Sequence, residues 1–165
     1  MDRRRRRVHF RGERFVREHD VYMDEAVREA RLGRDEGGIP IGSVLVRDGI
    51  IIGRGHNRRV QQGDPVLHAE IDCLRNAGRV GVYTDCVLYS TLMPCYLCAG
   101  AVVQFRIPVV VVGESRTFPG ADEFLLSKGV RVIDLDRSDC RDLLQEFIST
   151  HPEIWDEDIG ELERK

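Results

Sequence analysis

The stretch CVLYSTLMPCYLCAGAVVQFRIPVVVVGE, residues 86–114, decides the architecture. CVLYST at 86–91 reads as a strand, and IPVVVVGES at 107–115 holds a short Val-rich strand of the kind that lies inside a sheet covered on both faces. Between them, MPCYLCAGAVVQF at 93–105 is apolar on nearly every side, which predicts a helix buried between other elements. Strand, helix and strand in that order belong to an alternating α/β chain.

Working outward, the flanking segments extend the alternation. DVYMDEAVREARLGRDE at 20–36 places Val21, Ala26, Val27 and Ala30 on one side of a helical period, and Gly37 and Gly38 end it. IPIGSVLVRDGIIIGRGHN at 39–57 reads as two short strands joined at Asp48–Gly49, a pair suited to a tight hairpin turn. RRVQQGDPV at 58–66 has turn residues and no period, so it reads as a loop. The helix after it, LHAEIDCLRNAG at 67–78, is expected to bury Leu67, Ile71 and Leu74 and to stop at Gly78. Further on come a helix near 121–128, a strand at 130–135 and a helix from about 137 to 149. The order predicts a three-layer α/β/α sandwich around a mixed five-stranded sheet, with the hairpin as its antiparallel part. No repeat or linker interrupts it, so one domain is expected over 15–165 behind a basic, flexible extension at 1–14.

Composition narrows the partners. At 165 residues and 42% apolar, the chain is long enough for one full core. Lys and Arg total 25 against 28 Asp and Glu, a net charge of -3, so the balance does not call for a nucleic acid. RRRRR at 3–7 is the local exception; it reads as a disordered, solubilising terminus, with a contact for nucleic acid or another acidic partner as the alternative. No apolar run is long enough to cross a bilayer, and no secretory signal follows the arginines, so a cytoplasmic protein is expected. Five cysteines, an odd number, do not make a disulfide framework, and Cys73, Cys86 and Cys140 read as core thiols.

The remaining two cysteines carry chemistry. Cys95 and Cys98 stand two residues apart behind Pro94, at a predicted helix start where both sulfurs can turn to one point. His68 opens the preceding helix and supplies a third donor. Two sulfurs and one imidazole suit Zn²⁺, and three protein ligands leave a position for water, the mark of a catalytic site. Glu70 falls two positions after His68, so the two serve one site only if the metal lies at the helix's opening turn. Glu70 would then shuttle a proton from the water instead of binding the metal.

These segments, H68-A-E70 followed by P94-C95-Y-L-C98, resemble the cytidine/deoxycytidylate deaminase superfamily, and within it the small cytosine deaminases of fungi. GGIPIG at 37–42, GRGHN at 53–57, TLMPCYLCAG at 91–100 and IPVVVVGE at 107–114 have counterparts there in order and spacing. The resemblance implies that Asn57 hydrogen-bonds the carbonyl edge of a pyrimidine, that Ile41 stacks near it and that Phe118 lines the pocket. It implies further that Trp155, in the C-terminal WDEDIGE, covers the base while Asp158 accepts a hydrogen bond from the exocyclic amine. Met93 stands where the family has a serine that touches the base through its backbone, and Ala69 stands where it has a glycine whose N–H is used. The implied activity is hydrolysis of free cytosine to uracil and ammonia by a homodimer with one zinc per subunit, nucleosides being excluded by the tryptophan lid. Other free amino-heterocycles (isocytosine, guanine, a pterin, a triazine amine), a transfer-RNA adenosine deaminase and a non-catalytic zinc domain are the alternatives.

Overall fold

A computed structural model describes residues 13–162; the arginine run and most of the expected flexible extension lie outside the described residues. Helix α1 (Glu13–Asp35) leads into strands β1 (Gly42–Arg47) and β2 (Ile50–His56), the four-residue helix α2 (Arg59–Gln62) and helix α3 (Ala69–Ala77). Strand β3 (Cys86–Leu92), helix α4 (Tyr96–Gln104), strand β4 (Val109–Glu114), helix α5 (Asp122–Ser127) and strand β5 (Arg131–Asp134) follow. Helices α6 (Ser138–Thr150) and α7 (Pro152–Asp158) end the chain.

The five strands form one mixed sheet in the order β2-β1-β3-β4-β5. β1 runs antiparallel to β2 and β3, while β3, β4 and β5 are mutually parallel. Asp48 and Gly49 both take positive φ, 51° and 76°, as a two-residue hairpin turn requires. Period-two alternation sorts the strand side chains into two layers. Leu45, Leu88, Val110 and Val112 face α3, α4 and α5, whereas Val44, Val46, Tyr89 and Val111 face α1 and α6. The expected three-layer α/β/α sandwich is therefore the observed fold.

Several local expectations are corrected. α1 starts earlier than the periodic segment suggested, and Val21 is 62% exposed while Met23 joins the core in its place. The loop at 58–66 contains α2, which begins where Asn57 Oδ1 accepts the Arg59 N–H at 3.1 Å. Leu67 and Leu74 are buried as expected, but Ile71 is only half-buried, and α3 buries Ala69, Glu70, Asp72 and Cys73 as well. Asp72 can be buried because its carboxylate accepts from the His56 N–H and from Arg58 Nε, each at 3.1 Å. α3 lies so close to β2 that a Cβ at Gly55 would come within 2.3 Å of the Cys73 nitrogen. α4 is not buried all round: Tyr96, Leu97 and Phe105 are exposed on it or at its end.

Candidate active site

β2 and β3 run in the same direction, so the helices that follow them, α3 and α4, begin at the same edge of the sheet. That carboxyl edge is where open α/β sheets place their ligands. His68 is the N-cap of α3 and Cys95 the N-cap of α4, both with extended backbone. The sequence expectation put Pro94 in the first helical turn. Pro94 instead precedes the cap, and its carbonyl accepts the Ala121 N–H at 2.9 Å. Cys95 opens the helix as its cap, its carbonyl accepting the Ala99 N–H at 2.8 Å, while Cys98 sits inside the first turn.

One donor atom each from His68, Cys95 and Cys98 lies within 4.8 Å of the others, the only such trio among the described residues. Cys95 Sγ and His68 Nδ1 are 3.5 Å apart. A tetrahedral zinc with bonds of about 2.3 Å to sulfur and 2.0 Å to nitrogen separates those atoms by about 3.5 Å, so the site fits zinc. A hydrogen bond from Cys98 holds the Cys95 thiol down at about 4, whereas the same contact, with burial, raises Cys98. A metal binds these sulfurs as thiolates, so a divalent cation here would displace the protons they carry. Burial pulls the His68 imidazole down, but Cys95 and the Asp158 carboxylate outweigh it and leave the ring above its usual value.

Glu70 is in the opening turn of α3 and buried. Its Oε1 accepts from Ser90 Oγ on β3 at 2.8 Å. It falls outside the donor trio, consistent with a neighbour of the metal and not a ligand. Burial lifts its carboxyl above the ordinary range, and the Cys95 sulfur pushes in the same direction.

The expected base-binding residues gather around the same point. Ile41, Asn57, His68, Ala69, Glu70, Met93, Cys95, Phe118, Trp155 and Asp158 line one cavity, with Leu92 and Ile159 completing it; Cys98 lies just behind. The cavity measures about 20 Å³, room for little more than a water. Trp155 and Phe118 meet edge to face over it, ring centres 6.1 Å apart. Asn57 is pinned through its Nδ2, which donates to Asp158 Oδ1 at 3.3 Å. The Met93 N–H is taken by the Glu114 carbonyl at 3.0 Å, so any backbone contact from Met93 to a base falls to its own carbonyl.

Sequence reading missed Ser90, Ile159 and Arg59. Ser90 carries no motif, and only its strand register places it under Glu70. Arg59 donates from Nη1 to Asp158 at 2.9 Å across 99 residues of chain, a pairing no local pattern announces.

His56, next to Asn57, is buried between two carboxylates, Glu29 at 3.0 Å and Glu36 at 2.9 Å, with Arg58 also on Glu36. The bond to Glu29 raises its pKa against the opposing effect of burial, and Glu36 adds to the rise. A histidine pKa raised by folding gives stability that is fully present below about 6.5 and lost as pH climbs through the folded value. His56→Gln should therefore lower Tm by about 5 °C at pH 6, and the gap to the parent should narrow toward pH 9. A gap constant across a pH series of thermal melts would show that His56 stays uncharged.

Comparison with known proteins completes the description. The family model for the cytidine and deoxycytidylate deaminase zinc-binding region matches residues 16–114. A cytosine deaminase of Candida albicans is 42% identical over 142 residues, covering 84% of this chain and 95% of its own length. A tRNA-specific adenosine deaminase of Streptococcus pyogenes is 37% identical over 144 residues, covering 80% of this chain and 91% of its own. The structure of a guanine deaminase from Bacillus subtilis superposes with a TM-score of 0.56 at 33% identity, covering 68% of this chain and 71% of its own. With zinc-type donors, a buried acid and a small aromatic-roofed cavity already at the strand ends, the match leaves one assignment: the chain belongs to the cytidine and deoxycytidylate deaminase family of zinc hydrolases.

Proposed function

We propose that the protein removes the exocyclic amino group of a free nucleobase by hydrolysis, with cytosine as the preferred substrate. One observation carries this reading: His68, Cys95, the buried acid and the aromatic roof border a single small cavity, and Cys98 completes the donor trio. His68, Cys95 and Cys98 would hold zinc, which when bound supplies Lewis acidity toward a water.

Glu70, kept in place by Ser90, takes a proton from the attacking water and delivers it to the ring nitrogen beside the reacting carbon. Oxygen bonds to that carbon, Glu70 takes the proton left on the new hydroxyl and passes it to the amine, and the carbon–nitrogen bond breaks to release ammonia and leave a carbonyl. One water is consumed for each ammonia. Asn57 and Asp158 fix the ring's orientation, Ala69 offers its N–H, and Phe118 and Trp155 exclude solvent. Ile41 and Met93 close the sides.

The relatives act, by name, on three different substrates, so the family alone does not choose among them. What supports a free base is the roof. α7 is closed down on the cavity, and its acidic residues Glu153, Asp156 and Glu157 would repel a phosphate backbone. Guanine is the second reading, favoured by the likeness to the guanine deaminase structure. The exposed Tyr96, Leu97 and Phe105 support pairing of two chains through α4. Ammonia release from cytosine, isocytosine, guanine, cytidine and transfer RNA at equal enzyme tests the reading, with the particle mass checked against two 18.8 kDa chains. Cytosine is expected to exceed cytidine by about 10² or more in kcat/KM, because a ribose meets the roof. A faster reaction on a nucleoside or on transfer RNA would reject it.

A further inference from the structure

Arg59 does not line the cavity, yet its side chain is only 10% exposed. Its guanidinium reaches three acceptors. Nε donates to the Pro65 carbonyl at 3.0 Å, Nη1 to Asp158 Oδ1 at 2.9 Å and Nη2 to Glu157 Oε1 at 3.3 Å. Its backbone N–H donates to Asn57 Oδ1. One residue therefore joins the loop that leads to His68, the amide of Asn57 and the last turn of α7.

The contacts of the Asp158 carboxylate all fall on one oxygen. Oδ1 takes Arg59 Nη1, takes Asn57 Nδ2 at 3.3 Å and faces His68 Nε2 at 3.8 Å. That leaves Oδ2 as the acceptor for a donor inside the cavity that Asp158 lines. A planar fork with donors in fixed directions can hold a carboxylate in this way, and a lysine ammonium cannot serve all three acceptors at once. The Asp158 side chain is 6% exposed, so without the guanidinium its charge would sit nearly dry beside Glu70 and the cysteine sulfurs. The carboxylate would turn away, or α7 would lift to let water reach it.

The cavity is too small for a six-membered ring as it stands, and α7 supplies Trp155 and Asp158 to its roof. A ring can enter only if the roof shifts and can be held only if it returns. Arg59 is the polar tie between this seven-residue helix and the metal-side loop.

We infer that Arg59 is the positioning residue for base recognition: it orients the Asp158 carboxylate and clamps α7 over the cavity, so it governs KM and not the chemical step. The kinetic half rests on the proposed deamination of a free base; the clamp is a property of the fold and is read separately.

Trp155 is the only tryptophan in the chain, so its fluorescence reports on α7 directly. Zinc-loaded parent, Arg59→Gln, Arg59→Lys and Glu157→Gln proteins are compared by acrylamide quenching, zinc content and kinetics on cytosine. In Arg59→Gln, quenching should rise about twofold as the helix loosens. KM should rise about tenfold or more, the loss expected for a charge-assisted hydrogen bond, with kcat within about threefold and zinc retained. Arg59→Lys should fall between, and Glu157→Gln should stay within about twofold of the parent because its carboxylate is 64% exposed. Unchanged quenching with unchanged KM in Arg59→Gln overturns the inference, as does a fall in kcat alone or a loss of zinc. Raised quenching in Arg59→Gln, in a protein whose parent deaminates no base, supports the clamp and rejects the base-deaminase reading.

Discussion

Glu70→Gln is expected to keep the fold and its zinc while kcat falls by about 10² or more, because an amide cannot carry either of the two protons that the reaction moves. The carboxylate is 4% exposed and accepts from Ser90 Oγ at 2.8 Å. A glutamine has nearly the same shape, and its amide oxygen can still accept that bond, so neither packing nor the neighbouring donors need shift. KM should change little, since Asn57, Asp158 and the aromatic roof are untouched. Circular dichroism and elemental analysis establish the first half, and steady-state rates the second. A zinc-loaded Glu70→Gln protein with a near-parental rate would move proton transfer to another group.

Cys98→Ala should fail differently. Cys98 is fully buried and lies beside Cys95 in the donor trio. Removing one of three protein ligands should leave less than about a tenth of the zinc after dialysis and lower activity by about 10³. Thermal stability should fall as well, because the folded state no longer gains the free energy of binding the ion. Chelation of the parent should reproduce the loss, and added zinc should restore the parent but not the variant. Full zinc in Cys98→Ala would remove that sulfur from the ligand set.

Much of this was legible in the sequence because it rests on local patterns. Short β-rich and Val-rich runs marked the strands, Asp48–Gly49 marked the hairpin, and the strand-helix-strand order of 86–114 marked the layers. The metal donors were legible for a similar reason: a helix start brings both His68 and the Cys95–Cys98 pair to the edge where strands end. What the pattern could not supply was the partner of each polar group. α3 buries Asp72 and exposes much of Ile71, because the amide of His56 and the guanidinium of Arg58 meet that carboxylate, and hydrophobicity alone does not foresee it. Pro94 stands outside α4 with its carbonyl on the Ala121 N–H, a long-range bond that no local pattern announces. Arg59 looked like a loop residue for the same reason, its acceptors standing 98 and 99 positions away on α7. The exposed face of α4 was misread because an apolar helix looks identical whether a core or a second chain covers it.

The most direct measurement incubates the zinc-loaded protein with cytosine in ¹⁸O-labelled water and weighs the product while counting ammonia. Uracil carrying one labelled oxygen is expected, with one ammonia for each uracil formed. A protein that holds zinc at His68, Cys95 and Cys98 yet returns cytosine, isocytosine and guanine unchanged, with no ammonia, would contradict it.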